Sequence, residues 1–222
     1  MTTMAMPKPH GDRPIKGMMA KWYAANTSEM MNEYVELAQR IAREVPEGSR
    51  VLEVAPGPGY FSIELAKLGS YTITGLDLSQ SMVEIATNKA AEAGVRVDFR
   101  QGSASKMPLE TGSFDFLLCH AAFKNFAQPV EALKEMCRVL RPGARALIID
   151  MRGDASPQEL NEAVEGMKTS GVNRLINKLV FRTVLLRSAY TREQFETMLR
   201  QTPFSHAEIA QSGIGLEITA TK

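Results

Sequence analysis

Few residues in this sequence could support a metal centre, a disulfide framework or a membrane span. The 222 residues include two cysteines and three histidines, and Cys119 and Cys137 have neither metal-ligand nor redox spacing, which predicts two reduced core residues. No apolar run reaches the roughly 18 residues of a membrane helix. With 26 basic and 25 acidic residues, the net charge of +1 gives no overall attraction to nucleic acid or anionic membranes. We therefore expect a cytoplasmic protein without nucleic-acid, membrane or metal partners.

What the sequence does contain is enough apolar material for one core. Hydrophobic residues make up 44% of the chain, and a single domain over residues 26–222 is expected at this length. Residues 1–25 are expected to form an amino-terminal segment that begins with a flexible stretch, because residues 1–13 are polar, rich in Pro and Gly, and lack an apolar signal sequence. A monomer or a homodimer is expected.

Strand and helix patterns alternate over the first two thirds of the chain. Alternating strands and helices indicate an α/β fold with a doubly wound, mostly parallel sheet covered on both faces. The apolar face of the first helix runs from Met31 to Val45, and Asn26 with Glu29 fits a capping box before it. Strands are predicted over 50–55, 71–76, 95–100, 114–119 and 144–150. Helices are predicted after the first strand, after the capping pair of Ser81 and Glu84, and over 130–140. A turn is predicted at 141–143.

The pattern changes after Asp150. Ser156-Pro157-Gln158-Glu159 predicts a helix start, a second helical piece is predicted over 172–187, and Thr191 with Gln194 fits a capping box for a third. The last two strand-like runs, 205–211 and 216–221, flank a turn that contains Gly213 and Gly215, which predicts an antiparallel hairpin.

A small-residue loop follows the first predicted strand. Ala55-Pro56-Gly57-Pro58-Gly59 joins that strand to a helix, and its small residues permit a ligand to approach the backbone. Asp77 stands twenty positions after Gly57, at the carboxyl end of the next strand, which is the usual offset for a carboxylate that binds ribose hydroxyls. Asp77 has an alternative role as a helix cap, although Ser79 or Ser81 could fill it. The two features together indicate an adenosyl ribose.

Glu53 lies inside an otherwise apolar strand. An ionised carboxylate buried without a partner would cost several kcal/mol or more. We therefore expect Glu53 to face hydrogen-bond donors in the loop or on a ligand.

Five segments stand in an order that is typical of one enzyme family. They resemble the motifs of the class I methyltransferases that depend on S-adenosylmethionine, of the type that methylates small molecules, and the resemblance extends over residues 50–222. The segments are Val51-Leu52-Glu53-Val54-Ala55-Pro56-Gly57-Pro58-Gly59, Gly75-Leu76-Asp77-Leu78-Ser79, Gln101-Gly102-Ser103-Ala104, Ser113-Phe114-Asp115-Phe116 and Glu135-Met136-Cys137-Arg138-Val139-Leu140-Arg141-Pro142-Gly143.

The resemblance implies a sheet of order 3-2-1-4-5-7-6 with an antiparallel last strand, and a set of residues for S-adenosylmethionine and its product S-adenosylhomocysteine. Glu53 and the loop 55–59 would hold the methionine moiety, Asp77 the ribose, and Leu78 one face of the adenine. The adenine edge would meet residues 102–104, and residues 119–121 would lie beside the methionine and the acceptor. The implied cofactor residues are Tyr23, Glu53, Ala55, Gly57, Gly59, Asp77, Leu78, Gly102, Ser103, Ala104, Cys119 and His120.

Two positions depart from the family pattern. The usual first loop glycine is Ala55 here, and the usual adenine-binding aspartate is Ser103, a weaker hydrogen-bond partner. The terminal hairpin favours methyl transfer over a nicotinamide-dependent oxidoreductase, which would keep that edge of the sheet parallel. That oxidoreductase and a non-catalytic protein that binds an adenosyl ligand stay open as alternatives.

The acceptor pocket of such enzymes is commonly built from an amino-terminal lid and from an insertion after the fifth strand. Both are expected here, the lid before residue 26 and a helical cap insertion over 153–190. Trp22 could contact an acceptor and Tyr23 the donor, but packing against the first helix accounts for both residues equally well. The absence of an Asn-Pro-Pro-Tyr signature after the fourth strand further reduces the case for nucleic acid.

His120 is the best-placed general base, because ligands of open α/β sheets bind outside the carboxyl ends of the strands. A core histidine bonded to the backbone is the alternative. Phe123, Lys124 and Asn125 follow it as candidate acceptor contacts, with a solvated turn favoured slightly for the polar pair. Arg152 is a further candidate, although a mutual ion pair with Asp150 explains it better.

The sequence therefore predicts methyl transfer by in-line displacement to an oxygen, sulfur, nitrogen or carbon nucleophile on a small molecule. Positioning and water exclusion supply most of the rate of such a reaction, so a base is needed only where the acceptor must lose a proton.

Overall fold

The computed structural model describes residue 14, residues 16–20, residue 24, residues 31–166 and residues 188–222. Helices and strands alternate through the first part of this range, as the periodicity predicts. In chain order the elements are α1 Met31–Glu44, β1 Arg50–Val54, α2 Tyr60–Leu68, β2 Thr72–Asp77, α3 Gln80–Glu92, β3 Asp98–Gln101, β4 Phe114–His120, a short 3-10 helix Phe123–Asn125, α4 Pro129–Val139, β5 Leu140–Met151, α5 Pro157–Gly166, α6 Arg192–Leu199, β6 His206–Ser212 and β7 Gly215–Thr221.

The strands form one sheet in the order β3-β2-β1-β4-β5-β7-β6. Strands β1 to β5 run parallel to one another, whereas β7 is antiparallel to both β5 and β6. The predicted α/β fold, strand order and terminal hairpin are confirmed. Because the chain enters β4 on the opposite side of β1 from β2, the carboxyl ends of β1 and β4 border the crevice in which open α/β sheets bind ligands.

The sheet is covered on both faces, which explains why its central strands read as continuous apolar runs. On one face Val51, Phe116 and Leu118 pack against Ile41 of α1 and Phe61 of α2. On the other face the side chains of β1, β4, β5 and β7 pack against α4 and α6, and this cluster includes Leu52, Leu117, Ile148, Leu133 and Phe195. Cys119 and Cys137 are buried and reduced, as predicted.

Three boundary predictions are wrong. β3 starts at Asp98, three residues later than its apolar pattern suggests. The predicted turn at 141–143 lies inside β5, where a bulge between the Phe114–Leu140 and Phe116–Arg145 pairs absorbs the extra residues and Gly143 takes a φ of 78°. The cap of α3 is Ser79, whose side chain accepts from the backbone N–H of Met82, so Ser81 lies within the first turn instead.

Other helix ends agree with the sequence. Thr191 and Gln194 form the predicted capping box of α6, and the backbone N–H of Glu159 donates to Ser156 Oγ at the start of α5. The predicted Asn26–Glu29 box and the helical piece over 172–187 lie outside the described residues, as does most of the second half of the expected cap insertion. In the described part of the chain, every helix is too short or too polar to cross a membrane.

Candidate functional site

A cavity of about 330 Å³ opens at the carboxyl ends of β1, β2 and β4. This is the edge of the sheet at which the sequence predicts a ligand. Nine of the twelve predicted cofactor residues line the cavity: Glu53, Ala55, Gly57, Asp77, Leu78, Gly102, Ser103, Ala104 and His120.

The loop after β1 turns through three left-handed residues. Ala55, Gly57 and Gly59 have φ angles of 58°, 54° and 79°, and the Ala55 N–H donates to the carbonyl of Leu76 at 2.8 Å. Glycine adopts this conformation freely, but an alanine there costs about 1 kcal/mol. The replacement of the usual glycine by Ala55 therefore keeps the loop shape at an energetic cost that its contacts offset.

Gly59 itself does not line the cavity. A Cβ at this position would lie 2.6 Å from Cζ of Phe99, and a Cβ at Gly75 would lie 2.4 Å from Cδ1 of the same ring. The ring of Phe99 thus packs directly against two glycines, one at the end of the loop and one in β2. Gly59 is therefore needed for packing behind the loop, whereas the resemblance implies that it contacts the ligand.

Asp77 organises the loop and the start of α3. Its Oδ2 accepts from the backbone N–H of Gly57 at 3.0 Å, and its Oδ1 accepts from the N–H of Ser79 at 2.8 Å. The carboxylate is only 8% exposed, so burial raises its pKa while the two backbone donors lower it. Each oxygen keeps a second lone pair, which leaves the carboxylate able to accept from a diol in the cavity.

Glu53 is 3% exposed, and its Oε2 accepts from both the N–H and the Oγ of Ser62, at 3.2 and 2.5 Å. The donors thus come from α2, beyond the loop. Burial raises the pKa of Glu53 to about 7, against the lowering effect of Ser62 and with a further increase from Asp77. The carboxyl group therefore changes its protonation in the neutral pH range, well above the range of an exposed glutamate.

The turn after β3 also lines the cavity, through residues 102–105. The Gly102 N–H donates to the carbonyl of Asp77 at 2.9 Å, and a Cβ at Gly102 would lie 2.7 Å from Cδ1 of Leu76. Ser103 Oγ lies 3.0 Å from Ser105 Oγ and accepts from the Ser105 N–H at 3.3 Å. Ser103 thus stabilises its own turn and also faces the cavity.

His120 ends β4 at the cavity. Its ring meets that of Tyr34 edge to face, with centroids 5.5 Å apart. Among the described residues, its Nδ1 is the only buried side-chain nitrogen or oxygen without a hydrogen-bond partner, so a backbone bond through Nδ1 does not hold this histidine. Burial lowers the pKa of His120, which leaves a neutral imidazole at pH 7.

Lys124 and Arg152 correct two sequence interpretations. Lys124 is buried, and its Nζ lies 2.8 Å from Oδ1 of Asp150, so a solvated turn is wrong for this residue. Arg152 instead pairs with Asp154 and Glu159, so the predicted Asp150–Arg152 pair is also wrong. Neither cation lines the cavity.

The remaining candidates divide between cavity and core. Asn125 lines the cavity, whereas Phe123 is fully buried in a cluster with Phe126, Tyr190 and Phe195. Cys119 lies in the core, and burial raises the pKa of its thiol. Trp22 and Tyr23 lie outside the described residues.

Several lining residues were not predicted, among them Pro14, Tyr34, Met82, Phe126 and Gln128. Tyr34 and Met82 stand on the apolar faces of α1 and α3, where periodicity alone assigns them to the core. One feature of the sequence could have indicated Tyr34: its hydroxyl is a polar group near the start of the otherwise aliphatic face of α1. Pro14 brings part of the amino-terminal segment to the cavity, next to the hydrogen bond between the Gly17 N–H and Ser81 Oγ.

The comparisons with known proteins agree with this geometry. Residues 52–148 match the family model of a methyltransferase domain. A demethylmenaquinone methyltransferase of Deinococcus radiodurans is 38% identical over 108 residues, which cover 48% of this chain and 45% of that protein. The ubiquinone/menaquinone biosynthesis C-methyltransferase of Bdellovibrio bacteriovorus is 36% identical over 46% of this chain and 44% of its own length. The matches thus span just under half the length of these relatives.

A solved structure extends the likeness to the whole fold. A Methanococcus maripaludis protein, described as a candidate S-adenosyl-L-methionine-dependent methyltransferase, superposes with a TM-score of 0.74 at 22% identity, over 95% of both chains. Among the described residues, no group of three or more His, Cys, Asp and Glu side chains could hold a metal. Residues 52–148 are therefore similar to a methyltransferase domain, and the strand order and the cavity beside the loop 55–59 agree with that likeness.

Proposed function

We propose that this protein transfers the methyl group of S-adenosylmethionine to a hydroxylated aromatic ring, in the chemical class of quinone precursors. One observation carries the cofactor side of the proposal: two buried carboxylates, Glu53 and Asp77, flank the left-handed loop at one cavity. A ligand that presents a cation to one carboxylate and a diol to the other would satisfy both. S-adenosylmethionine has both groups.

Asp77 is proposed to accept from the ribose hydroxyls, because it already holds the loop and the turn that border the ribose position. Glu53 is proposed to face the amino group of the methionine moiety together with the backbone of Gly57. Leu78 and the Ser103–Ala104 turn are proposed to border the adenine. When bound, S-adenosylmethionine supplies a methyl group that an acceptor atom displaces from sulfur, with the bonding electrons left on sulfur.

The chemical class of the acceptor is proposed from the residues that line the cavity near His120. Tyr34, Ala122 and Phe126 line that side of the cavity with apolar and aromatic surface, which suits a flat ring. A neutral imidazole can take the proton of a ring hydroxyl, and the resulting phenolate makes both the oxygen and the ring carbons beside it nucleophilic. The names of the two relatives, which refer to menaquinone and ubiquinone compounds, support a ring of this kind.

Release of S-adenosylhomocysteine from S-adenosylmethionine tests the proposed reaction. We expect turnover with hydroxylated quinol-type rings and not with aliphatic thiols or amines. His120→Gln should bind S-adenosylhomocysteine as the wild type does but lose about 100-fold or more in kcat, because the base is missing. His206→Gln, which changes an exposed histidine on β6, should retain full activity.

Two results would contradict the proposal. A protein that binds S-adenosylhomocysteine but produces none with any ring acceptor would not be the proposed methyltransferase. Full turnover by His120→Gln would exclude the imidazole as the base and leave positioning as the source of the rate.

Asp77→Asn should weaken S-adenosylhomocysteine binding by roughly 10- to 100-fold, since hydrogen bonds to a charged acceptor contribute about 1.5–3 kcal/mol. The measurement is the Kd from isothermal titration calorimetry. Asp98→Asn is the matched control, because Asp98 is an exposed carboxylate on the neighbouring strand that pairs with Arg100. Equal affinities for Asp77→Asn and the wild type would rule out Asp77 as the ribose ligand.

Glu53→Gln should change how stability depends on pH. The folded pKa of about 7 exceeds the ordinary value of 4.5, so the stability linked to protonation is fully present below pH 4.5 and is lost as the pH rises through 7. That loss amounts to about 3 kcal/mol. Urea denaturation without ligand should therefore show the variant gaining stability relative to the wild type between pH 5 and 8.

The control is Glu131→Gln, which removes an exposed carboxylate from α4. Its free energy of unfolding should stay parallel to that of the wild type over the same pH range. A parallel curve for Glu53→Gln as well would show that Glu53 is ionised throughout, contrary to the expected protonation.

A further inference from the structure

A buried charge pair lies directly behind the cavity and has no part in the proposed chemistry. Lys124 and Asp150 are 7% and 5% exposed, and their charged atoms are 2.8 Å apart. Removing two charges from water costs about as much as their attraction returns, so such a pair is weak evidence for stability. Stability alone therefore does not explain why the pair is buried here, which suggests another role.

The pair ties the turn after β4 to the end of β5. Lys124 Nζ donates to the carbonyl of Ala121 at 2.6 Å as well as to Asp150. The backbone N–H of Lys124 donates to Oδ2 of Asp150 at 2.9 Å, and the N–H of Met151 donates to Oδ1 at 2.8 Å. One carboxylate therefore fixes both the side chain and the backbone of Lys124.

The tied turn is strained. Ala121 has a φ of 55°, a left-handed conformation that costs an alanine about 1 kcal/mol or more. Ala121, Ala122 and Asn125 line the cavity beside His120. Without the bond from Lys124 Nζ to its carbonyl, Ala121 would be free to relax, and the turn next to the imidazole would move.

The charges of the same pair also act on His120. Burial has the largest effect and lowers the pKa of His120, while Asp150 raises it and Lys124 lowers it. Among the described residues, the other ionisable groups near the site are Tyr34 on α1, Glu53 on β1, Asp77 on β2 and Cys119 on β4. Arg40 of α1 forms an ion pair with Glu217 of β7.

We propose that the Lys124–Asp150 pair is a positioning element of the methyl-transfer site. It holds the turn 121–125 against β5 and keeps the net charge beside His120 near zero. The proposal has two parts. The positioning arm is the claim that the pair holds the turn, and it rests on the proposed function, because it matters for turnover only if the acceptor binds beside His120. The charge arm is the claim that the pair keeps the net charge beside the imidazole near zero, and it can be measured without any acceptor.

The charge arm is tested by titrating the histidines of the 222-residue chain by NMR. Only three histidines are present, and the signal missing from His120→Gln identifies His120. Lys124→Met should raise the pKa of His120 and Asp150→Asn should lower it, each by about one unit. The double variant Lys124→Met/Asp150→Asn should titrate like the wild type. Unchanged titration in both single variants would overturn the charge arm.

The positioning arm is tested with the double variant, which has no uncompensated buried charge and is therefore expected to fold even where Lys124→Met does not. Its kcat should fall at least tenfold while its Kd for S-adenosylhomocysteine stays the same. Adding Ala121→Gly should restore part of the lost kcat, because glycine needs no restraint to stay left-handed. Full kcat in the double variant, or no recovery with Ala121→Gly, would overturn the positioning arm.

Lys134→Met and Glu131→Gln form the matched control, since they remove an exposed ion pair from α4 and should leave kcat and the His120 titration unchanged. If the wild type shows no turnover with any acceptor, the proposed function fails and the positioning arm fails with it. The NMR titrations still decide the charge arm in that case.

Discussion

Two carboxylates that share one desolvated cavity impose the main constraint on this structure. Glu53 and Asp77 are both almost fully buried, and each raises the cost of ionising the other. Asp77 stays hydrogen-bonded to the backbone of Gly57 and Ser79, whereas the donors to Glu53 from the described part of the chain both come from Ser62. The bonds of Asp77 hold the left-handed loop and the start of α3. A cationic ligand with a diol would relieve the repulsion and use the remaining acceptor capacity.

The parts of the site that come from one strand end and its following loop could be predicted from the sequence. The loop 55–59 and Asp77 stand at fixed offsets from apolar runs, so their positions follow from the strand–loop–helix pattern. The strand order came from the resemblance, and the hairpin from its own turn residues. For the same reason His120 was placed at the correct edge, because the end of β4 must lie beside the end of β1.

Other features depend on which elements pack together, and sequence patterns do not contain that information. Tyr34 reads as a core residue of α1 until the helix is placed over the cavity. Asp150 has two cations nearby in sequence, and only the fold decides that Lys124 pairs with it while Arg152 turns toward Asp154 and Glu159. The start of β3 was wrong because Val95 and Val97 have strand-like character but lie before the segment that pairs with β2.

The central claim is that the cavity holds S-adenosylmethionine through Glu53 and Asp77. Its most direct test is calorimetric titration of the wild type with S-adenosylhomocysteine at pH 7, in two buffers of different ionisation enthalpy. A cation beside Glu53 would lower its pKa from about 7, so binding should release a measurable fraction of a proton per site, and Glu53→Gln should lose that release. An absence of binding, or binding without proton release in the wild type, would contradict the account.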